Sequence, residues 1–143
     1  MPLAGPASVI DGDTIEVHGT RIRLHGIDAP ESRQECRRPD GTTWRCGQQA
    51  ALALSDHIGR RPVTCKPLDR DRYGRVIASC SLSSGDLNRW MVANGWAVSY
   101  RRYSLDYVAD EEKARQARLG IWVGPFEMPW DWRAERAVRK AVE

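Results

Sequence analysis

Four acidic residues stand at short intervals near the amino terminus. Asp11 and Asp13 flank Gly12, and Asp28 and Glu31 close the alternating stretch RIRLHGIDAPE. On a regular strand Asp11 and Asp13 project to one side, while a bulge at Gly12 would re-aim one of them. Taken alone, an Asp-Gly-Asp is more often a plain surface turn. If Asp28 joins the pair from the adjoining strand, the carboxylates repel one another unless a cation neutralises them or one keeps its proton. An all-oxygen set without Cys or His suits Ca²⁺ or Mg²⁺. Arg23 lies on the strand that delivers Asp28, and Arg75 follows the turn DRYGR. A cation, a free carboxylate (Glu31) and two guanidiniums are the parts of phosphodiester hydrolysis. The carboxylate activates water, and the arginines clamp phosphate oxygens as negative charge builds on them. Each arginine alone reads equally well as a surface ion pair worth about 0–1 kcal/mol.

The elements that must position these groups are legible from periodicity. In RIRLHGI, Arg21, Arg23 and His25 alternate with Ile22, Leu24 and Gly26, so the basic side chains share one face of a strand. ASVIDGDTIEV is strand-like on both sides of Gly12 and counts as two strands, and HGT turns into the third. A loop rich in Pro, Gly, Asp and Thr follows, then a helix over CGQQAALALSDHI stopped by Gly59. PVTCKPL and RVIASCSL form a hairpin around DRDRYGR. Asp86 caps a short helix, LNRWMVAN, ended by Gly95, and Ser104 caps a longer one through LDYVADEEKARQARL, ended by Gly120. In DWRAERAVRKAVE, residues Ala134, Ala137, Val138, Ala141 and Val142 form an apolar helical stripe expected to pack on something. Trp122, Phe126, Trp130 and Trp132 read as anchors that dock this segment. Three strands, a helix, two strands and then helices is the element order of an OB-fold.

Composition narrows the class. At 143 residues one domain with its own core is the default. The 22 Lys and Arg against 19 Asp and Glu leave a net charge of +3, so any nucleic-acid affinity comes from local clustering. Lys66, Lys113 and Lys140 are the only lysines, and arginine forks suit planar oxyanions. No apolar run approaches the ~18 residues needed to span a bilayer. Four cysteines lack Cys-x-x-Cys spacing or a nearby histidine pair, which argues against zinc. Cys65 and Cys80 lie symmetrically about the expected hairpin turn and would face each other across it. That leaves Cys36 with Cys46. The alternative is four reduced thiols. Paired cysteines imply an oxidising compartment, hence a secreted or periplasmic protein whose signal peptide is absent from this sequence. His18, His25 and His57 have no partner suggesting a nucleophile–base pair, and SLSSGD reads as turn and cap residues.

VIDGDT, IRLHGIDAPE and DRYGRV resemble the three signature segments of the staphylococcal nuclease (thermonuclease) family. The resemblance runs in order from Ser8 to about Trp122 and includes GDLNRWMVANGWA and ARLGIW. It implies an α+β, mainly β-barrel fold: a five-stranded OB-fold barrel with three helices in residues 1–122, and a C-terminal helical extension, 123–143, packed on the same domain. Position by position, Asp13 and Asp28 resemble calcium-ligating carboxylates, the Ala29 carbonyl a third ligand, and Asp11 an acid behind them. Glu31 falls at the general base, and Arg23 and Arg75 at the phosphate arginines. Arg72 and Tyr73 match positions lining the nucleotide site, and Glu111 a glutamate that holds a loop. The implied activity is Ca²⁺-dependent hydrolysis of single- and double-stranded DNA and of RNA with little sequence preference, leaving 3′-phosphate ends, by a monomer.

Residues 32–46 depart from the family pattern, with a cysteine pair and RRPDGTTWRC replacing a lysine-rich loop. Tyr100 and Tyr103 lie near the family's two base-stacking tyrosines with altered spacing. Tyr103 is the better match, and a tyrosine packed under the neighbouring helix is the equal alternative. Two rivals stand beside the nuclease. One is a non-catalytic OB-fold module binding nucleic acid or protein, against which the joint presence of Asp13, Arg23, Asp28, Glu31 and Arg75 argues. The other is a domain turned to a process such as surface-polysaccharide production, ranked low because a sugar-acting site is expected to use a carboxylate pair without an arginine clamp.

Overall fold

Pro6 decides how the sheet begins, because a proline cannot donate to a ladder and splits the first strand in two. Residues 3–142 are described by the computed structural model. β1 (Leu3–Gly5) and β2 (Ala7–Asp11) flank Pro6, and β3 (Thr14–Val17), β4 (Thr20–Leu24) and β5 (Ile27–Asp28) follow. β6 (Cys36–Arg37) and β7 (Thr43–Trp44) lead into α1 (Cys46–Ile58), then β8 (Val63–Arg70), β9 (Val76–Leu82) and β10 (Gly85–Asp86). The chain finishes with α2 (Leu87–Ala93), β11 (Val98–Ser99), α3 (Val108–Gln116), a 3₁₀ turn (Gly120–Val123) and α4 (Pro129–Val142).

The main sheet runs β1-β8-β9-β4-β3-β2. Its two edges, β1 and β2, are consecutive in the chain on either side of Pro6. This mixed sheet with its helices is consistent with the barrel-like OB-fold expected from the element order, with β4 and β9 as its parallel pair. Alternate residues point inward: Ile15, Val17, Ile22, Leu24, Val63, Cys65, Val76, Ala78, Cys80 and Leu82 form one core with Ala50, Leu54 and Ile58 of α1. Cys65 lies directly opposite Cys80 in the β8–β9 ladder, and the two form a disulfide, as do Cys36 and Cys46. A second, smaller cluster of Cys36, Cys46, Val98 and Ile121 is walled by Trp44, Trp122, Phe126, Met128 and Trp130.

Helix α1 has the bounds its sequence predicts, and the Asp86 carboxylate accepts from the Arg89 N–H to cap α2. Two expectations fail. Helix α3 starts only at Val108, because the Ser104 hydroxyl accepts from the Asp106 N–H and holds a turn there instead of capping a helix. The Ala134–Val142 stripe of α4 packs on nothing among the described residues: Val138 is 64% and Val142 81% exposed. Helix α4 is held by its first turn, where Pro129 is buried and Trp130 stacks on Tyr100 at 5.1 Å.

Candidate active site

Two glycines seat the acidic segments. A Cβ on Gly12 would lie 2.7 Å from the Ala29 Cβ and 3.0 Å from that of Ala50, so only glycine lets the Asp-Gly-Asp turn press against the loop after β5. There the Asp13 Oδ2 accepts the Ala29 N–H at 2.8 Å and its Oδ1 the Thr14 hydroxyl at 3.2 Å. Asp11 turns back to accept the Asp13 N–H at 3.2 Å. Gly47, in the first turn of α1, lies so close to Glu31 that a Cβ would fall 1.6 Å from the Glu31 carbonyl oxygen. The helix start therefore wedges against the Glu31 loop. Gln34, fully buried, fixes that loop from inside: its Oε1 accepts the Glu31 N–H at 3.2 Å and its N–H donates to the Glu31 carbonyl at 2.8 Å.

Asp28 is fully buried where β5 pairs with β11. The Arg23 guanidinium reaches into the same place. It donates to the carbonyls of Leu24 and Ile27 at 2.8 Å each, and lies 3.3 Å from Asp28 and 3.5 Å from Asp13. A second guanidinium, which sequence reasoning missed, comes from α4. Arg133 grips both Asp28 oxygens at 2.8 and 2.9 Å and shares Nη1 with Glu31 at 2.8 Å. Both carboxylates hold Arg133 in its charged form, raising its pKa against the effect of burial.

Crowding shows in the acids' affinities for protons. Burial, with the charge of Asp13, pushes Asp11 up to about 7. Burial also works against ionised Asp13, but Arg23 and three hydrogen bonds outweigh it and hold Asp13 below the usual carboxylate range. Asp28 is pushed up to about 6 by burial, against the pull of Arg133. A set of crowded oxygens that resists full ionisation has the donor chemistry of a hard divalent cation. Asp13 and Asp28, which share the Arg23 guanidinium, and the carbonyl of Ala29, whose N–H donates to Asp13, fit that group by donor type. No three acidic, His or Cys side chains among the described residues are close enough together to hold an ion as they stand, and Arg133 is what stands between Asp28 and Glu31.

The β8–β9 hairpin supplies the other predicted groups. Val76 and Ile77 of β9 pair with Ile22 and Arg23 of β4, which sets Arg75 at the foot of the strand beside Arg23's. Its Nε donates to Asp71 at 2.7 Å, and Asp71 also accepts the N–H groups of Tyr73 and Arg75. Asp71 was the second residue missed, although DRDRYGR carries it four positions before Arg75. Arg72 donates to the Tyr73 hydroxyl at 2.8 Å, and Tyr73 is 70% exposed. Tyr100 lies under Trp130, while Tyr103 meets it edge-on at 4.8 Å and remains exposed. Glu111 accepts the Ser99 N–H at 2.9 Å and pairs with Arg101 at 3.0 Å, which ties β11 to α3.

Residues 21–124 match the sequence profile described as staphylococcal nuclease homologue. The chain belongs to the staphylococcal nuclease family. Among relatives of this family, the succinoglycan biosynthesis protein ExoI of Rhizobium meliloti (strain 1021) is 39% identical over 142 residues, 97% of this chain and 74% of that protein. The micrococcal nuclease of Shigella flexneri is 36% identical over 152 residues, covering 94% and 80%. An uncharacterized endonuclease of Escherichia coli is 36% identical over 133 residues, covering 87% and 80%. The relatives named as nucleases support a nuclease function for this chain. Arg133 lies beyond the matched segment, and no local pattern in the sequence pointed to it.

Proposed function

We propose that this chain is a Ca²⁺-dependent endonuclease that hydrolyses phosphodiester bonds of DNA and RNA with low sequence specificity and leaves 3′-phosphate ends. One observation carries the reading: Asp13 and Asp28 share the Arg23 guanidinium, Asp11 accepts from the Asp13 N–H, and Glu31 is joined to Asp28 through Arg133. Asp13, Asp28 and the Ala29 carbonyl would hold the cation, with Asp11 supporting Asp13. When bound, the cation supplies charge neutralisation to these carboxylates and polarises the phosphate. Glu31 takes the proton of the attacking water as the water oxygen bonds to phosphorus, and the 5′ P–O bond breaks, the 5′ oxygen leaving as an alkoxide that takes a proton from solvent water. Arg23 contributes fixed positive charge beside the phosphate. Arg75, aimed by Asp71, donates to phosphate oxygens through its outer nitrogens. Arg72, Tyr73 and the exposed Tyr103 line the way in for a nucleotide.

The two disulfides suit an extracellular or periplasmic setting, and no described helix is long and apolar enough to cross a membrane. We place the protein there as a monomer, with residues 1–122 as the nuclease domain and 123–143 bracing it. A second reading, a non-catalytic nucleic-acid or protein binder, is favoured by one feature: Arg133 occupies both Asp28 and Glu31. Digestion of single-stranded DNA with added Ca²⁺ or with EDTA, with Glu31→Gln in parallel, separates the two. Cleavage that needs the cation and is lost in the variant supports the nuclease. Intact DNA with Ca²⁺, Mg²⁺ and Mn²⁺ alike supports the binder.

A further inference from the structure

The Arg133 clamp is more specific than a surface ion pair. Its two nitrogens meet the two oxygens of a fully buried carboxylate at 2.8 and 2.9 Å, and Nη1 also reaches Glu31 at 2.8 Å. Arg23 adds a third donor to Asp28, 3.3 Å from Oδ1. A carboxylate offers about four lone-pair positions, and this one faces three N–H groups. Ligating Ca²⁺ through Asp28 would put the ion about 2.3–2.6 Å from an oxygen that Arg133 already grips. Two cationic groups cannot occupy that place together. Glu31, hydrogen-bonded to the same guanidinium, cannot serve a water molecule with the oxygen it gives to Arg133.

Helix α4 is built so that this contact can break. Its first turn is anchored by buried Pro129 and by Trp130 stacked on Tyr100, and the Gln34 side-chain amide donates to the Glu127 carbonyl at 2.8 Å just before it. From Arg136 to Val142 every residue is exposed. The Arg133 side chain is itself 36% exposed, so a path to solvent lies open. We propose that Arg133 is an intramolecular competitor of the cation: without the ion, α4 seats its guanidinium on Asp28 and Glu31, and ion binding expels it. The proposal rests on the cation reading given above and adds a regulator that the nuclease core, residues 21–124, does not contain.

Calorimetric titration of Ca²⁺ into the full-length protein, free of nucleic acid, tests this apart from activity. A site blocked nine-tenths of the time loses about tenfold in apparent affinity, so Arg133→Ala is expected to bind Ca²⁺ about tenfold more tightly than the wild type. Arg136→Ala removes the same charge one turn along α4, where Arg136 lies over Trp132 and touches neither carboxylate. It is expected to change affinity by less than about twofold. If Arg133→Ala fails to fold, guanidinium nitrogen NMR of the wild type carries the test: the Arg133 signals should move to solvent-exposed, fast-exchanging values as Ca²⁺ saturates. Equal gains in both variants, weaker binding in Arg133→Ala, or unmoved Arg133 signals overturn competition. Absence of ion binding in every form overturns it too, and DNA digestion in EDTA then decides separately whether the nuclease reading survives.

Discussion

Arg75 and Arg133 are each held by a carboxylate at under 3 Å, yet they belong to opposite kinds of structure. Asp71 lies four residues from Arg75, in a hairpin tip whose tyrosine is exposed, and the pair is set by one turn of backbone. Asp28 lies 105 residues from Arg133, buried where barrel, loop and terminal helix meet. On the proposed nuclease reading, the local pair aims an arginine at the substrate, whereas the distant pair consumes the groups that a substrate and cation would need. A guanidinium beside a carboxylate thus has opposite consequences, depending on whether the carboxylate is a support or a working group.

If the buried region holds the chemistry, Glu31→Gln gives the largest effect. The amide keeps shape and loses the base, and kcat is expected to fall by about 10²–10⁴ with the melting temperature nearly unchanged. Near-normal cleavage by the folded variant would remove Glu31 from the mechanism. The hairpin comes next. Arg75→Ala should lower kcat/KM about a hundredfold, in line with loss of one positioned donor to developing charge. Asp71→Ala, which leaves the guanidinium in place but unaimed, should cost about tenfold. Equal losses in the two variants would mean that Asp71 does more than orient.

The same contrast explains what the sequence could reveal. Helix α1, the hairpin, both disulfides and the order of barrel elements follow from contacts close in sequence or from strict alternation, and each was foreseen. The acidic turn, Glu31 and Arg75 stand out in the sequence because short motifs carry them. Arg133 and Gln34 act through contacts that cross the chain, to Asp28 and to Glu127, and no period or motif encodes such a partner. Helix α4 misled for a related reason. Periodicity shows that an apolar stripe exists, while the first-turn anchors Pro129 and Trp130 decide which way it faces, and here it faces solvent.

Protonation sharpens the comparison at the buried end. An unfolded Asp11 loses its proton near the ordinary 3.8, whereas in the fold it keeps it to about 7. The folded state therefore binds more protons between these values. Its contribution to stability is complete below 3.8 and is lost as pH rises through about 7. Asp13, lowered beside it, offsets part of this. In EDTA, Asp11→Asn should resist that loss and exceed the wild type by on the order of 2 kcal/mol at neutral pH, measured by urea unfolding at about pH 4 and pH 7.5. Parallel behaviour at both pH values would mean that Asp11 is not strained by its neighbours.

The smallest effect belongs to the most exposed group. Tyr103 is 55% exposed, meets Tyr100 at a near-perpendicular angle and has Arg102 over its ring at 5.7 Å, so a base stacking on it would use the remaining exposed ring surface. Stacking of that kind is worth about 1–3 kcal/mol per base, and a surface position favours the low end. Tyr103→Ala should raise KM about fivefold and leave kcat and stability unchanged. Tyr100→Ala, which strips the platform from Trp130, should instead loosen the start of α4 and with it the seat of Arg133. Stability would fall while Ca²⁺ affinity rises, a pairing that stacking on substrate cannot produce. The two tyrosines, three residues apart, thereby report on the two regions separately, one on substrate at the open face and the other on the latch behind it.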